Sequence, residues 1–119
     1  MDDFAAAWNA HDADAILSMM TRDCVMQLSA GPDACGRRFV GQDHVKIGIN
    51  EVFSAIPDVA YKNPKHTVSG DRGISEWLLT GTTSNGPIEV EGCDIFTFHD
   101  GKIALKNSYR KQRLVNSGD

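Results

Sequence analysis

The stretch Glu91-Gly-Cys-Asp-Ile-Phe-Thr-Phe-His-Asp-Gly-Lys-Ile103 decides how the chain folds. Period-two alternation puts Asp94, Phe96 and Phe98 on one face of a strand and Cys93, Ile95 and Thr97 on the other. Asp100-Gly101 is a hairpin-turn pair, so Lys102 to Tyr109 is predicted to return alongside. One carboxylate therefore shares a face with two phenylalanines. Such an aspartate is either a poorly solvated acid suited to proton chemistry or a strand-edge residue touching water. Apolar neighbours disfavour a charged carboxylate, so the first reading expects asparagine at this position to cost little stability.

Outward from this hairpin, strands and turns extend back to Pro57. Strands are predicted at 59–68, 73–83, 88–98 and 102–113, with turns at Ser69-Gly-Asp-Arg72, Ser84-Asn-Gly-Pro87 and His99-Asp-Gly101. Ahead of Pro57 the pattern is mostly helical. Phe4, Trp8 and His11 mark one face of a short first helix. Asp12 can cap a second, which buries Ile16, Leu17 and Met20 and ends near Thr21-Arg22-Asp23. A third runs from Gln42 to Ala55, with Val45, Ile49, Val52 and Phe53 on one stripe, and Pro57 stops it. Between them, Cys24 to Leu28 reads as a strand and the glycine- and proline-containing segment 29–38 as loop.

Helices first and hairpins second is the α+β arrangement. The expected fold is three N-terminal helices packed on a curved antiparallel sheet. It forms a cone-shaped barrel with one pocket at its open end. Residues 1–119 are expected to make a single domain. The outer sheet face, with Leu79, Ile95 and Ile103 or Leu105, is expected to be covered by a second copy in a homodimer.

The formal net charge of -4 and pI near 5.4 argue against a nucleic-acid partner, which needs a basic patch to neutralise phosphates. Lys106-Asn-Ser-Tyr-Arg-Lys-Gln-Arg113 is locally basic, but it alternates along a predicted strand and reads as a solvated strand face rather than an anion site. His11, His44, His66 and His99 show no metal-ligand spacing, so neither metal nor cofactor is expected. No apolar run reaches membrane-spanning length, and no charged segment leads into an apolar leader. Cys24, Cys35 and Cys93 form no CxxC pair. A cytoplasmic location without membrane contact is the expectation.

The element order, Thr80-Gly81-Thr82 at a strand end, and Asp94-Ile-Phe-Thr-Phe-His-Asp-Gly-Lys-Ile together resemble the nuclear transport factor two-like superfamily. Within it the chain is similar to the SnoaL-like branch of polyketide cyclases and ketosteroid isomerase-like proteins, from the Asn9-Ala-His-Asp12 turn to Tyr109. By this resemblance Asp94 falls where ketosteroid isomerase carries its oxyanion-hole acid, a worked case of a carboxylic acid kept neutral by an apolar site. That enzyme's tyrosine falls near Phe4, and its general base near Leu28 or Ser29, so steroid isomerisation is not expected. Nor is epoxide hydrolysis of the limonene type. Glu76 is the only acid from Ile74 to Leu79, and Asn107-Ser108 stand where a last-strand acid would be. SnoaL-like cyclases, which rely mainly on one strand aspartate, look closer.

The candidate catalytic residues are Asp94, with Glu76 or His66 as a second proton carrier. Trp8, Phe39, Trp77, Phe96 and Tyr109 are the candidate substrate-binding walls, each also what an ordinary core would use, and core is the commoner role for any one of them. Cys24 and Cys93 read as inert packing. The expected function is a pocket for a small lipophilic molecule and cofactor-free proton transfer of the cyclase, isomerase or dehydratase kind. The rivals are a binding or accessory protein without chemistry, and a dimerisation scaffold with a vestigial pocket. A second titratable group beside Asp94, and the depth of the pocket there, separate the three.

Overall fold

A computed structural model describes residues 1–114. Helix α1 spans Asp2–Asn9, with Asp2 and Asp3 in its first turn, where negative charge complements the helix dipole. Phe4, Ala7 and Trp8, at helical spacing, form its buried face. His11 lies beyond the helix in a left-handed conformation (φ 55°), its Nε2 2.7 Å from the Val59 carbonyl oxygen. Asp12 caps α2 (Ala13–Ser18) as expected, accepting from the Ala15 N–H at 3.0 Å. That helix ends sooner than predicted, and strand β1 (Met20–Gln27) begins at once. Strand β2 (Arg38–Val40), overlapping the end of the segment read as loop, pairs with β1. Helix α3 occupies Gln42–Ala55, the predicted range.

Strands β3 (Ala60–Ser69), β4 (Arg72–Thr83), β5 (Gly86–His99) and β6 (Lys102–Arg110) are consecutive hairpins. One six-stranded sheet results, in the order β2-β1-β6-β5-β4-β3. Two expectations are corrected. The sheet is mixed, because β1 runs parallel to β6 after the long crossover through the hairpins. It is also not a closed barrel: β2 and β3 are free edges at opposite ends.

Two register shifts set which side chains face inward. In β3, Asn63 adopts φ 53° ahead of Pro64, which lacks an N–H for the ladder, and the pairing slips between Lys62 and Lys65. Tyr61 and His66, an odd and an even position, consequently reach the same inner face, opposite Leu79 and Ser75. The β5–β6 pairing slips between Thr97 and Phe98, so Ile103 and Lys106 both face inward. Leu79 and Ile103, expected on the outer face, are core residues. The outer face instead carries Ile74, half-buried Ile95 and half-buried Leu105.

Helix α3 crosses β1 and β2 at Gly48, where a Cβ would lie 2.6 Å from Met26 Cε and 2.7 Å from the Phe39 ring. Asn9 fixes the end of α1 to β3: its Nδ2 donates to the Tyr61 carbonyl, and the Tyr61 N–H donates to its Oδ1. The core falls into two clusters, one around Phe4, Trp8, Met26 and Phe96, the other around Ile56, Val59, Trp77 and Leu79.

Asp58 ties the turn after α3 to β4, accepting from the Thr82 N–H at 2.7 Å and its Oγ1 at 2.9 Å. The backbone bond first, and the hydroxyl second, hold its pKa below the ordinary 3.8. A depressed folded value stabilises the fold above the unfolded pKa, and that contribution disappears as pH falls through the folded value. Asp58→Ala should therefore lower the melting temperature at neutral pH, and the gap should close in acid below the carboxylate range. A gap that persists unchanged at the acid end would assign the loss to packing.

Candidate functional site

Asp94 is buried in the inner face of β5, at 6% exposure, and Lys106 of β6 is buried beside it at 4%. Lys106 Nζ donates to Asp94 Oδ1 at 3.1 Å and to Ser108 Oγ at 2.9 Å; Ser108 Oγ donates to the same Oδ1 at 2.6 Å. Trp77 Nε1 donates to Asp94 Oδ2 at 3.0 Å. The ammonium also stands 4.5 Å from the centre of the Trp8 ring, a cation–π distance. The apolar surroundings expected for Asp94 are thus only half of what it meets. Phe96 is beside it, but three donors converge on its carboxylate, one of them a cation. Asparagine at position 94 would leave Lys106 buried and unpaired, so the small stability cost expected from sequence does not hold here.

A glycine makes this geometry possible. Gly92 pairs with Trp77 across the β4–β5 ladder, and a Cβ on it would lie 2.5 Å from the indole ring. With no side chain there, the indole lies over β5 and its N–H reaches the carboxylate two residues on.

Two cavities border the network. The smaller, about 20 Å³, touches His66, Ser75, Asp94 and Phe96 and has room for about one water. The larger, about 220 Å³, lies between the two core clusters; Trp8, Tyr61, Trp77, Leu79, Lys106, Ser108 and Arg110 are among its walls. For scale, a dry cavity of roughly 150 Å³ accepts benzene. Trp8, Tyr61, Trp77 and Lys106 border both cavities. Asp94 is therefore one residue behind the wall of the larger one, reached through Ser108 or Lys106.

The other candidates separate. His66 comes to the same small cavity as Asp94, its Nδ1 2.7 Å from Ser75 Oγ and its Nε2 3.2 Å from Asp2 Oδ1 without hydrogen-bond geometry. Glu76 is exposed and opposes Cys93 on the outer face, away from Asp94. Trp8, Trp77 and Phe96 are brought together at the site. Phe39 packs against α3 under Arg37 and borders neither cavity. Tyr109 is 53% exposed, opposite Cys93, and its hydroxyl accepts from Asn107 Nδ2. Burial pushes the Cys24 and Cys93 thiols above their ordinary value, which suits packing and not nucleophilic attack.

Lys106, Ser108, Arg110 and Tyr61 are the site residues that the sequence reading missed. Alternation alone would turn Leu105 and Tyr109 inward and leave Lys106, Ser108 and Arg110 in solvent; the slipped register does the reverse. The signal available was the alternation Lys-x-Ser-x-Arg directly opposite Asp94 in the hairpin. Tyr61 supplies, from β3, a hydroxyl that Phe4 lacks. Burial, and next the Asp94 charge, raise its pKa, so it stays a neutral donor.

Comparison with known proteins places this architecture. The family model described as SnoaL-like domain matches residues 1–106. A candidate polyketide cyclase from Xanthomonas campestris pv. campestris aligns at 21% identity and TM-score 0.79, over 91% of this chain and 84% of that one. A hypothetical protein with a ketosteroid isomerase-like fold from Catenulispora acidiphila, in complex with trimethylamine, aligns at 18% and TM-score 0.79, over 91% and 82%. TerC, co-crystallised with polyporic acid, aligns at 19% and TM-score 0.76, over 92% and 86%. At these identities the likeness establishes the fold. No curated protein matches the chain in sequence.

Proposed function

The chain belongs to the SnoaL-like domain family, and from that premise we propose that it binds a small lipophilic molecule in the larger cavity and moves a proton on it without a cofactor. The observation that carries this reading is the link between Asp94 and the cavity. Ser108 borders the cavity and donates to Asp94 at 2.6 Å, while Lys106 borders it and is paired to the same oxygen. A proton leaving the ligand goes to Ser108 Oγ as the serine's own proton passes to Asp94 Oδ1. The reverse transfer returns a proton to another ligand atom, so the net change is an isomerisation or a ring-closing rearrangement. Lys106 and the Tyr61 hydroxyl stand where negative charge would develop on a ligand oxygen, and the low dielectric around them strengthens that effect. That similar folds have been crystallised with trimethylamine and with polyporic acid supports a small-molecule pocket.

One observation favours binding without chemistry. Asp94 does not border the larger cavity, and both of its oxygens already have donors. The two readings part on proton exchange. With 2-tetralone as a neutral carbon acid in D2O, NMR should show deuterium uptake at the activated carbon above background. Ser108→Ala, which leaves the Asp94–Lys106 pair in place, should slow it by about 100-fold, the low end of general acid–base effects. Uptake at the background rate, with the ketone still bound, would leave a binding module.

The homodimer is proposed on the same footing. Ile74, at 42% exposure, with Ile95 and Leu105, gives the outer sheet face an apolar strip that a second copy would cover. Sedimentation at micromolar concentration should give a species of twice 13.0 kDa, and Ile74→Lys should halve it. A parent chain that sediments as a monomer ends the proposal.

A further inference from the structure

The larger cavity has a charge pattern that its apolar area conceals. Lys106, Ser108 and Arg110 are alternate residues of β6 and all border it. Ammonium carries three N–H groups. Two of those on Lys106 go to Asp94 and Ser108, and the third has no oxygen acceptor among the described residues. Tyr61 borders the cavity too, and the position of Arg110 is felt there, since its charge partly opposes the upward shift of the Tyr61 hydroxyl. Trp8 Nε1, in the same wall, is a buried donor with no partner among the described residues. The acids nearby are already committed. Asp94 is paired with Lys106, and Glu51, at the rim, is held by Arg37 through two 2.8 Å contacts. Among the described residues no acid is paired with Arg110. The cavity therefore offers donors and positive charge, and the one carboxylate that borders it, Glu51, is already paired. Apart from Ser29, the remaining walls, including Trp77, Leu79, Val52 and Ile56, are apolar.

We infer that the ligand of this cavity is a small apolar acid whose anionic oxygen lies between Lys106, Tyr61 and Arg110 and whose ring contacts Trp77, Leu79 and Ile56. The inference rests on the larger cavity being the ligand site and deepens that reading by naming the class of molecule. It also reverses the sequence expectation for the basic run: Lys106 and Arg110 form an anion site and not a solvated strand face. An anionic oxygen completes the open donors, and the apolar body accounts for the rest of the wall. A neutral amide of the same shape would bring N–H groups against a wall already rich in donors.

Calorimetric titration of the intact protein with trans-cinnamate and with cinnamamide tests this. Cinnamate should bind at least about tenfold more tightly, a preference that weakens with added salt. Arg110→Gln, on an exposed side chain whose loss leaves the core unchanged, should reduce the preference. The double variant Asp94→Asn/Lys106→Met, which removes both members of the buried pair and strands neither, should reduce it as well, leaving the share that Arg110 contributes. Equal affinity for the two probes, tighter binding of the amide, or no binding of either at millimolar concentration would overturn the inference. The outcome is separable from that of the proton-transfer reading. Deuterium uptake into a neutral ketone is measured without regard to head-group charge, and can succeed where cinnamate fails.

Discussion

The buried pair of Asp94 and Lys106 is the constraint on which the rest of the structure turns. Two charges removed from water cost several kcal/mol each unless they meet each other in good geometry with their remaining positions satisfied. Here Ser108 bridges them and Trp77 takes the second carboxylate oxygen, while the ammonium lies against the Trp8 ring with one N–H left without an oxygen acceptor among the described residues. The five residues come from four elements: Trp8 from α1, Trp77 from β4, Asp94 from β5, and Lys106 and Ser108 from β6. Neither charge has a satisfactory state unless all four elements are in place. The pair thus selects one register of the β5–β6 hairpin, because slipping it by one residue would carry Lys106 to the outer face and leave Asp94 alone.

The same arrangement shapes the cavity. Lys106 and Trp77 are held back against Asp94, leaving the space between the two core clusters unfilled. A leucine at position 106 would suit the neighbouring aromatic groups but leave that part of the wall without charge. A lysine there, kept in place by a carboxylate, gives a wall that is apolar in area and cationic at one point. Gly92 contributes by allowing the indole of Trp77 to lie flat across the strand.

Much of the fold was legible in local pattern. Helix α3 and the consecutive hairpins follow from apolar periodicity, Pro57 and the glycine-containing turns, and Asp94 was identified by one polar residue on an aromatic face. What could not be read had a nonlocal cause. The slips at Asn63-Pro64 and near Ala104 reverse which residues face inward, and neither is announced by a glycine. Tyr61 and His66 on one face, and Lys106 in the core, depend on those slips. The parallel pairing of β1 with β6 depends on partners some 80 residues apart, as in Met20 opposite Ile103. Glu76 and Tyr109 were singled out by residue type; alternation along β4 places Glu76 on the outer face, and the β5–β6 slip turns Tyr109 there as well. Composition did not distinguish a solvated basic strand from a cationic pocket wall, because the two have the same sequence and differ only in register.

The central claim is that Asp94 and Lys106 act as one buried unit, and a double-mutant cycle measures it most directly. Urea unfolding of Asp94→Asn, Lys106→Met and the double variant gives three stability changes at neutral pH. Each single change should cost about 3–5 kcal/mol, because it leaves a buried charge without its partner. The double should cost well below their sum, with a coupling of about 2 kcal/mol or more. Single losses below about 1 kcal/mol that simply add would mean that the two charges are solvated independently, and would contradict the account.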